Sequence, residues 1–313
     1  MPCKSVQPEF LVNILMCTYN GAHYLKEQLD SLHHQSHKNW KLIVSDDGSE
    51  DATLDILAKF KDAHAPGRVK VIRGPQRGFA ANFLSLALSD DLDGSYFAFC
   101  DQDDIWRPNK LERALEVLSC ISADRPAAYG CRTELIAENG RHIGFSPSLR
   151  RPPSFLNALT QSIAGGNTTV FNLRTLQLLR LAGPVEIISH DWWVYLLVTG
   201  TGGEFSFDAE PLVLYRQHRN NLVGANSSMF GQFSRAKAMF NGRYRNWMNI
   251  NIFALEGVQD VLTENNQAVL RQFQYARSSN LLRRLPLLFR SGARRQSFLG
   301  NCGLAVAFLL KRA

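Results

Sequence analysis

A chain of 313 residues can bury a large core, so it accommodates one large α/β domain or a domain with an appendage. Its contents of 45% hydrophobic and 20% charged residues are ordinary for a folded soluble protein. The longest nearly apolar run, residues 298–310, is too short to cross a bilayer, and residues 1–10 lack the apolar core of a signal peptide. We therefore expect neither a transmembrane helix nor a secreted protein.

Four strand-like runs alternate with helical patterns over the first hundred residues. The runs "FLVNILMCTYN", "KLIVS", "VKVIR" and "YFAFC" are apolar, and the segments that follow the first three have apolar residues at helical spacing. This alternation predicts a parallel sheet with helices on both faces. Ligands bind beyond the carboxyl ends of such strands. One rim is therefore predicted to hold Thr18, Tyr19, Asn20, Asp46, Asp47, residues 74–78 and residues 101–104.

Three carboxylates follow the fourth strand in "FAFCDQDDIWRPNKLE". In an extended D-x-D segment Asp101 and Asp103 share one side, and two carboxylates suit a hard cation such as Mg²⁺ or Mn²⁺ that keeps positions open for phosphate oxygens. The alternative is a solvated turn whose aspartates cap the helix that starts near Pro108.

The segments "NILMCTYNGAHYLKEQLDSLHHQSHKNWKLIVSDDGSEDAT", "GFAANF" and "FCDQDDIWRPNKLE", in this order, resemble the family 2 glycosyltransferases. These are inverting enzymes of the glycosyltransferase-A fold, and the resemblance covers residues 10–224. It implies a Rossmann-like, mostly parallel α/β sheet flanked by helices in a catalytic domain, residues 1–227. Residues 228–313 are then a helical, basic C-terminal region.

The resemblance assigns the nucleotide-sugar side of the site to the first half of the chain. Asp46 is expected to accept a hydrogen bond from the imide N–H of a pyrimidine base, although Asp is also a common turn residue in "SDDGS". Gly78 permits close backbone approach, and Asn82 either meets the ribose or diphosphate or simply begins a helix. The full expected set is Thr18, Tyr19, Asn20, Asp46, Gly78, Asn82, Asp101 and Gln102.

The metal and the chemical step are assigned to residues from both halves. The resemblance gives Asp103 direct ligation of Mn²⁺ or Mg²⁺, and His218 in "YRQH" is a second candidate ligand or an ordinary polar contact. Asp191 in "SHDWW" is the expected general base, or a first-turn residue favoured by the helix dipole. Candidate sugar contacts are Gly166, Asn167, His190 and Trp192, where Gly166 also fits a flexible loop and Trp192 also fits the core.

The motifs "DQDDIW", "HDWW" and "YRQH" look like the rhamnosyltransferase branch of the family. We therefore expect metal-dependent, inverting transfer of rhamnose from dTDP-rhamnose to a saccharide acceptor of bacterial O-antigen, capsule or exopolysaccharide. The alternatives are a UDP-sugar-dependent galactosyl-, glucosyl- or N-acetylglucosaminyltransferase and a catalytically inactive nucleotide-sugar-binding scaffold. A Rossmann dehydrogenase is disfavoured because "CTYNGAHY" lacks G-x-G-x-x-G, and no nucleic-acid partner is expected.

The C-terminal region combines Leu and Phe clusters with basic residues. No acidic residue follows Glu264 in a chain whose net charge is +7. This composition suits an anionic membrane surface, where a lipid-linked acceptor would reside. The alternatives are a helical cap on the catalytic domain and an oligomer contact such as a homodimer. The six cysteines form no C-x-x-C pair and no zinc-binding spacing, which favours reduced thiols and a cytoplasmic protein. If the C-terminal region binds the membrane, the protein is expected to be peripheral on its inner face.

Overall fold

The computed structural model describes residues 10–218 and 242–313. The strands in these ranges are β1 Val12–Thr18, β2 Trp40–Asp46, β3 Val69–Arg73, β4 Tyr96–Cys100, β5 Ile105–Trp106, β6 Ala127–Ala137, β7 His142–Phe145, β8 Val170–Asn172 and β9 Glu204–Gln217. The α-helices are α1 Leu25–His33, α2 Thr53–Asp62, α3 Phe79–Ala87, α4 Lys110–Leu118, α5 Phe155–Ala158, α6 Leu173–Ala182, α7 His190–Gly200, α8 Arg243–Glu256, α9 Glu264–Ser278, α10 Leu281–Ser291 and α11 Phe298–Leu309.

The strands form one sheet in the order β3-β2-β1-β4-β8-β6-β9-β5, with β7 paired to β6. The neighbours β3, β2, β1 and β4 are parallel, as the alternating pattern predicts, and β6 is parallel to β9. β8 and β5 run antiparallel to their neighbours. Since Thr18 is in register with Asp46, the polar residues at the ends of β1 and β2 lie side by side.

Alternate side chains of β1 lie in two hydrophobic cores, one on each face of the sheet. Ile14 and Met16 lie in the core covered by α1, α2 and α4. Leu15 and Cys17 lie in the core covered by α3, α6 and α7. This layering confirms the predicted α/β class.

The C-terminal helices extend the second of these cores. Met248 of α8, Phe273 of α9, Leu288 of α10 and Phe308 of α11 are buried in the same cluster as α7. The helical region therefore packs on the catalytic part of the chain, which is the helical-cap alternative. The expected domain boundary at residues 227 and 228 lies outside the described residues.

Two further expectations concern the cysteines and the membrane. Cys17, Cys100, Cys131 and Cys302 carry free thiols, and reduced thiols at the other cysteines stay a prediction. Within residues 10–218 and 242–313, every helix is too short or too polar to cross a bilayer.

The shared core predicts that the C-terminal helices contribute directly to global stability. Phe273 has no exposed surface, so we expect Phe273→Ala to lower the free energy of unfolding by about 3–5 kcal/mol through lost burial and a residual cavity. Phe253 on α8 is 75% exposed, and Phe253→Ala is the matched control, with a change within about 0.5 kcal/mol. Urea unfolding followed by tryptophan fluorescence measures both variants. Equal effects of the two substitutions would contradict the shared core.

Candidate active site

Asp46 holds together the turn at the end of β2. Its carboxylate accepts hydrogen bonds from Thr18 Oγ1 at 2.7 Å, from Ser49 N at 2.8 Å and from Ser49 Oγ at 2.6 Å. The backbone N–H of Gly48 also donates to it at 3.1 Å. The buried carboxylate thus has the turn role that the sequence offered as an alternative, and recognition of a base by Asp46 stays a prediction.

The polar residues after β1 are tied to the neighbouring strand ends. Gln102 accepts from Tyr19 N at 2.9 Å and donates to Tyr19 O at 3.1 Å, so this amide links the end of β1 to the segment after β4. Asn20 has a left-handed backbone with φ of 46° and accepts from Glu50 N at 2.8 Å. The Tyr19 side chain itself is 58% exposed at this rim and is available to a ligand.

Two residues that were predicted to contact the nucleotide, Gly78 before α3 and Asn82 on α3, differ in exposure. Gly78 is exposed, with φ of 84° and open space where a Cβ would lie, which suits close approach of a ligand. Asn82 is 1% exposed, accepts from Ser45 Oγ at 2.5 Å and donates to Ser45 O at 3.1 Å. Its amide therefore joins α3 to β2 in this structure, and contact of Asn82 with the ribose or diphosphate stays a prediction.

The structure brings Asp103 and His218 together across 115 residues of sequence. His218 Nε2 lies 2.9 Å from Asp103 Oδ2, and the imidazole stacks on Tyr24 with ring centroids 5.1 Å apart. Beside this pair, burial and the charges of Asp103 and Asp191 raise the pKa of Asp101 to about 8. The two candidate ligands thus lie together, as predicted, and they are surrounded by other carboxylates.

Asp104 is fully buried next to Asp103 in the acidic segment. Its carboxylate accepts from Asn167 Nδ2 at 2.6 Å and from Arg216 N at 3.1 Å, and burial, then Asp103, then Asp101 raise its pKa. Asn167 is 3% exposed. Asn167 therefore supports the acidic segment, and its role as a direct sugar contact stays a prediction.

Two buried cations lie near the carboxylates, and sequence reasoning gave neither of them a role. Arg216 is 2% exposed, donates from Nε to Asp103 O at 3.2 Å and pairs with Glu27 Oε2 at 2.7 Å. Lys110 Nζ sits 3.1 Å from the ring centroid of Trp106, and burial lowers the pKa of Lys110 to about 8. The sequence feature that could have indicated a role for Arg216 is its position as a charged residue in the apolar run that becomes β9.

His190 is packed inside the fold rather than presented to a sugar. Its ring stacks on Phe83 at 3.8 Å between centroids, and it meets Phe99 edge-on at 4.6 Å. Burial lowers the pKa of His190 to about 4, and neither ring nitrogen has a hydrogen-bond partner in the part of the chain that the structure describes. Gly166 leaves room for this ring, since a Cβ at Gly166 would lie 2.1 Å from His190 Nε2. His190 and Gly166 thus form a packing contact.

The next residue along α7, Asp191, contributes to the raised pKa of Asp101 in the acidic segment. It is half-buried in the first turn of the helix and accepts a hydrogen bond from Ser162 Oγ at 2.9 Å. Trp192, by contrast, is 5% exposed and donates from Nε1 to Ala158 O at 2.7 Å. The core alternative is therefore correct for Trp192, and Ser162 is a partner of Asp191 that the sequence did not reveal.

Asp103 and His218, after β4 and β9, supply part of a ligand set for a divalent cation. Among residues 10–218 and 242–313, no group of three or more His, Cys, Asp or Glu side chains is arranged to enclose a metal. Asp103 and His218 nonetheless offer an oxygen and a nitrogen 2.9 Å apart, and Mg²⁺ is commonly held by one or two protein ligands plus phosphate oxygens and water. The raised pKa of Asp101 shows that this segment gains from added positive charge.

With this geometry in place, comparisons with known proteins identify the family. Residues 13–163 match the family model described as glycosyl transferase family 2. A glycosyltransferase from Nostoc sp. is 32% identical over 241 residues, which are 72% of this chain and 71% of that protein.

The chain belongs to glycosyl transferase family 2. A second relative, the dTDP-rhamnosyl transferase RfbG of Shigella flexneri, is 29% identical over 241 residues, covering 74% of this chain and 81% of that protein. The mannosyltransferase PcManGT from Pyrobaculum calidifontis, solved with GDP-Man and Mn²⁺, superposes with a TM-score of 0.52. That match covers 100% of this chain and 89% of the other at 17% identity, and it confirms the expected glycosyltransferase-A fold.

The contact of Gly166 with His190 predicts a steric penalty for any side chain at position 166. We expect Gly166→Ala to lower the free energy of unfolding by about 1–3 kcal/mol, because the new Cβ overlaps the imidazole. In a His190→Ala background the same change should cost less, since the overlapping ring is gone. Gly257→Ala, whose Cβ would lie 3.5 Å from Ala254 O, is the control without a clash. A penalty that is unchanged by His190→Ala would contradict the contact.

Proposed function

We propose that this family 2 protein transfers a sugar from a nucleoside-diphosphate sugar to a hydroxyl of a saccharide acceptor, with inversion at the anomeric carbon. The observation that carries the proposal is the contact of Asp103 with His218, 2.9 Å apart, after β4 and β9. The charge of Asp191, on α7, also contributes to the raised pKa of Asp101, after β4. The candidate base and the candidate donor site are proposed to face one space.

The donor side of this space is built from the ends of β4 and β9. Asp103 and His218 would hold a divalent cation, Mn²⁺ or Mg²⁺, which supplies charge neutralisation for the departing diphosphate. Tyr19 and Gly78, both exposed on the same rim, are proposed to contact the nucleotide. Thr18, Asn20 and Gln102 are proposed to shape that rim through their hydrogen bonds.

The acceptor side is centred on Asp191. As the acceptor oxygen forms its bond to the anomeric carbon, the bond from that carbon to the diphosphate oxygen breaks, and the hydroxyl proton passes to the Asp191 carboxylate. The hydrogen bond from Ser162 at 2.9 Å restrains the carboxylate, which favours a productive approach of the acceptor.

The donor is proposed to be dTDP-rhamnose, in bacterial cell-surface polysaccharide synthesis. The similarity to the dTDP-rhamnosyl transferase RfbG supports this choice over UDP-sugars. The test is incubation with Mn²⁺ or Mg²⁺ and a panel of dTDP-rhamnose, UDP-glucose, UDP-galactose and UDP-N-acetylglucosamine, with nucleotide release as the measurement. Release from a UDP-sugar alone would replace the proposed donor, and no release from any nucleotide sugar would favour a catalytically inactive binding scaffold. The cytoplasmic location remains a prediction.

Replacing Asp103, the proposed carboxylate ligand, should remove metal binding and leave the fold intact. Asp103→Asn should lower transfer by at least about 100-fold and abolish metal-dependent donor binding, because one anionic ligand is lost. Asp124 is exposed between α4 and β6, and Asp124→Asn is the control that makes the same chemical change elsewhere. Calorimetric titration of donor with and without Mn²⁺ measures the effect. Parental metal-dependent binding by Asp103→Asn would refute the ligand assignment.

Replacing the proposed base should affect the chemical step alone. We expect Asp191→Asn to lower kcat by about 10²- to 10⁴-fold while donor affinity stays at the parental level, because only the destination of the acceptor proton is removed. Single-turnover transfer and donor titration on the same preparation measure the two quantities. Transfer at near-parental rate would eliminate Asp191 as the base.

A further inference from the structure

The outward face of α11 is apolar along its whole length. Phe298 is 76% exposed, Leu299 73% and Leu310 52%, and Val306 between them is 41% exposed. On its other side the helix buries Leu304, Ala307 and Phe308 in the core. Surface helices of globular proteins normally expose a polar face, whereas an all-round apolar helix is one that is covered on both sides. The exposed side of α11 is therefore built to meet an apolar environment.

The neighbouring helix, α10, adds a second apolar strip. Leu282 is 87% exposed and Phe289 74% exposed, and their separation of seven residues puts them on one side of the helix. Arg284 Nη1 donates to Phe308 O at 3.2 Å, so the start of α10 lies beside the end of α11. The two helices are thus antiparallel neighbours. We call the exposed side chains of Leu282, Phe289, Phe298, Leu299, Val306 and Leu310 the apolar face.

Positive charge surrounds the apolar face. Arg283 and Arg290 are exposed on α10, and Lys311 and Arg312 are exposed just after α11. The sequence contains no acidic residue after Glu264 to oppose them. We propose that the apolar face docks on an anionic lipid bilayer, with Leu and Phe side chains entering the interface and basic side chains pairing with lipid headgroups. A second copy of the chain fits this charge pattern less well, because a symmetric contact would bring these cations together.

The apolar face is physically connected to the acceptor side of the site. In the loop between α10 and α11, Arg295 Nη1 donates to Thr160 O at 2.7 Å, and Gln296 N donates to Gln161 Oε1 at 3.2 Å. The next residue, Ser162, donates to Asp191. Docking would therefore fix how the segment that restrains Asp191 is oriented relative to the membrane, which suits an acceptor anchored in lipid. This last step depends on the proposed transferase function, whereas docking itself does not.

The test substitutes exposed side chains, since deleting residues 283–313 would also remove buried Leu288, Leu304 and Phe308 from the core. The docking variant combines Phe289→Ser, Phe298→Ser and Leu299→Ser. The control variant combines Phe253→Ser and Leu181→Ser, which are 75% and 64% exposed on α8 and α6. Thermal unfolding confirms that both variants are folded, and each is co-sedimented with vesicles of phosphatidylglycerol and phosphatidylcholine in equal parts.

We expect the parent and the control variant to bind these vesicles and the docking variant to bind at least about tenfold more weakly. Binding of the parent should fall when salt is raised from about 0.05 to about 0.5 M, because the charges are then screened, and should be weak on pure phosphatidylcholine. No binding by the parent, or equal binding by the docking variant, would overturn the proposal. So would a parental dimer that fails to bind vesicles and becomes monomeric in the docking variant, because the face would then be a contact between copies.

Because no nucleotide sugar is present, this experiment is independent of the transferase assignment. Vesicle binding by a protein that releases nucleotide from no donor would leave docking intact and refute only the proposed function. Nucleotide release by a protein that does not bind vesicles would support the proposed function and refute docking.

Discussion

Mutual repulsion among Asp101, Asp103 and Asp104 is the constraint around which the site is organised. Three carboxylates within four residues, at the end of a buried strand, destabilise one another unless positive charge or hydrogen bonds compensate. Asp104 is compensated by Asn167 and the backbone of Arg216, and Asp103 by His218. Burial, then the charges of Asp103 and Asp191, raise the pKa of Asp101 to about 8, so added positive charge would favour its ionised form. A bound divalent cation would supply that charge.

The same constraint explains why distant parts of the chain meet at this point. Arg216, near the end of β9, spans from Asp103 O to Glu27 on α1, so it locks the acidic segment to the first helix. Ser162 donates to Asp191, and Thr160, two residues earlier, accepts from Tyr244 on α8 and from Arg295 in the loop between α10 and α11. The C-terminal region is thus part of the structure that positions the proposed base.

Sequence patterns predicted the features that depend on local order or on short motifs. Alternating strands and helices gave the parallel sheet, and the position of Asp103 and His218 in two motifs indicated a pair that the structure places 2.9 Å apart. Burial was harder to predict, because a polar or aromatic residue next to a motif reads equally well as a ligand contact or as core. Asn82 and Trp192 are examples, since their partners, Ser45 and Ala158, lie 37 and 34 residues away. Such partners are defined only by the folded chain.

The segment after β4 is proposed to bind a divalent cation together with a nucleoside diphosphate. The most direct measurement is Mn²⁺ binding followed by electron paramagnetic resonance, with and without dTDP or UDP. Because Asp103 and His218 supply only part of a coordination sphere, binding should be weak for Mn²⁺ alone and should strengthen to a single site per chain when the nucleotide is added. Absence of Mn²⁺ binding with both nucleotides, or tight binding that no nucleotide alters, would contradict this claim.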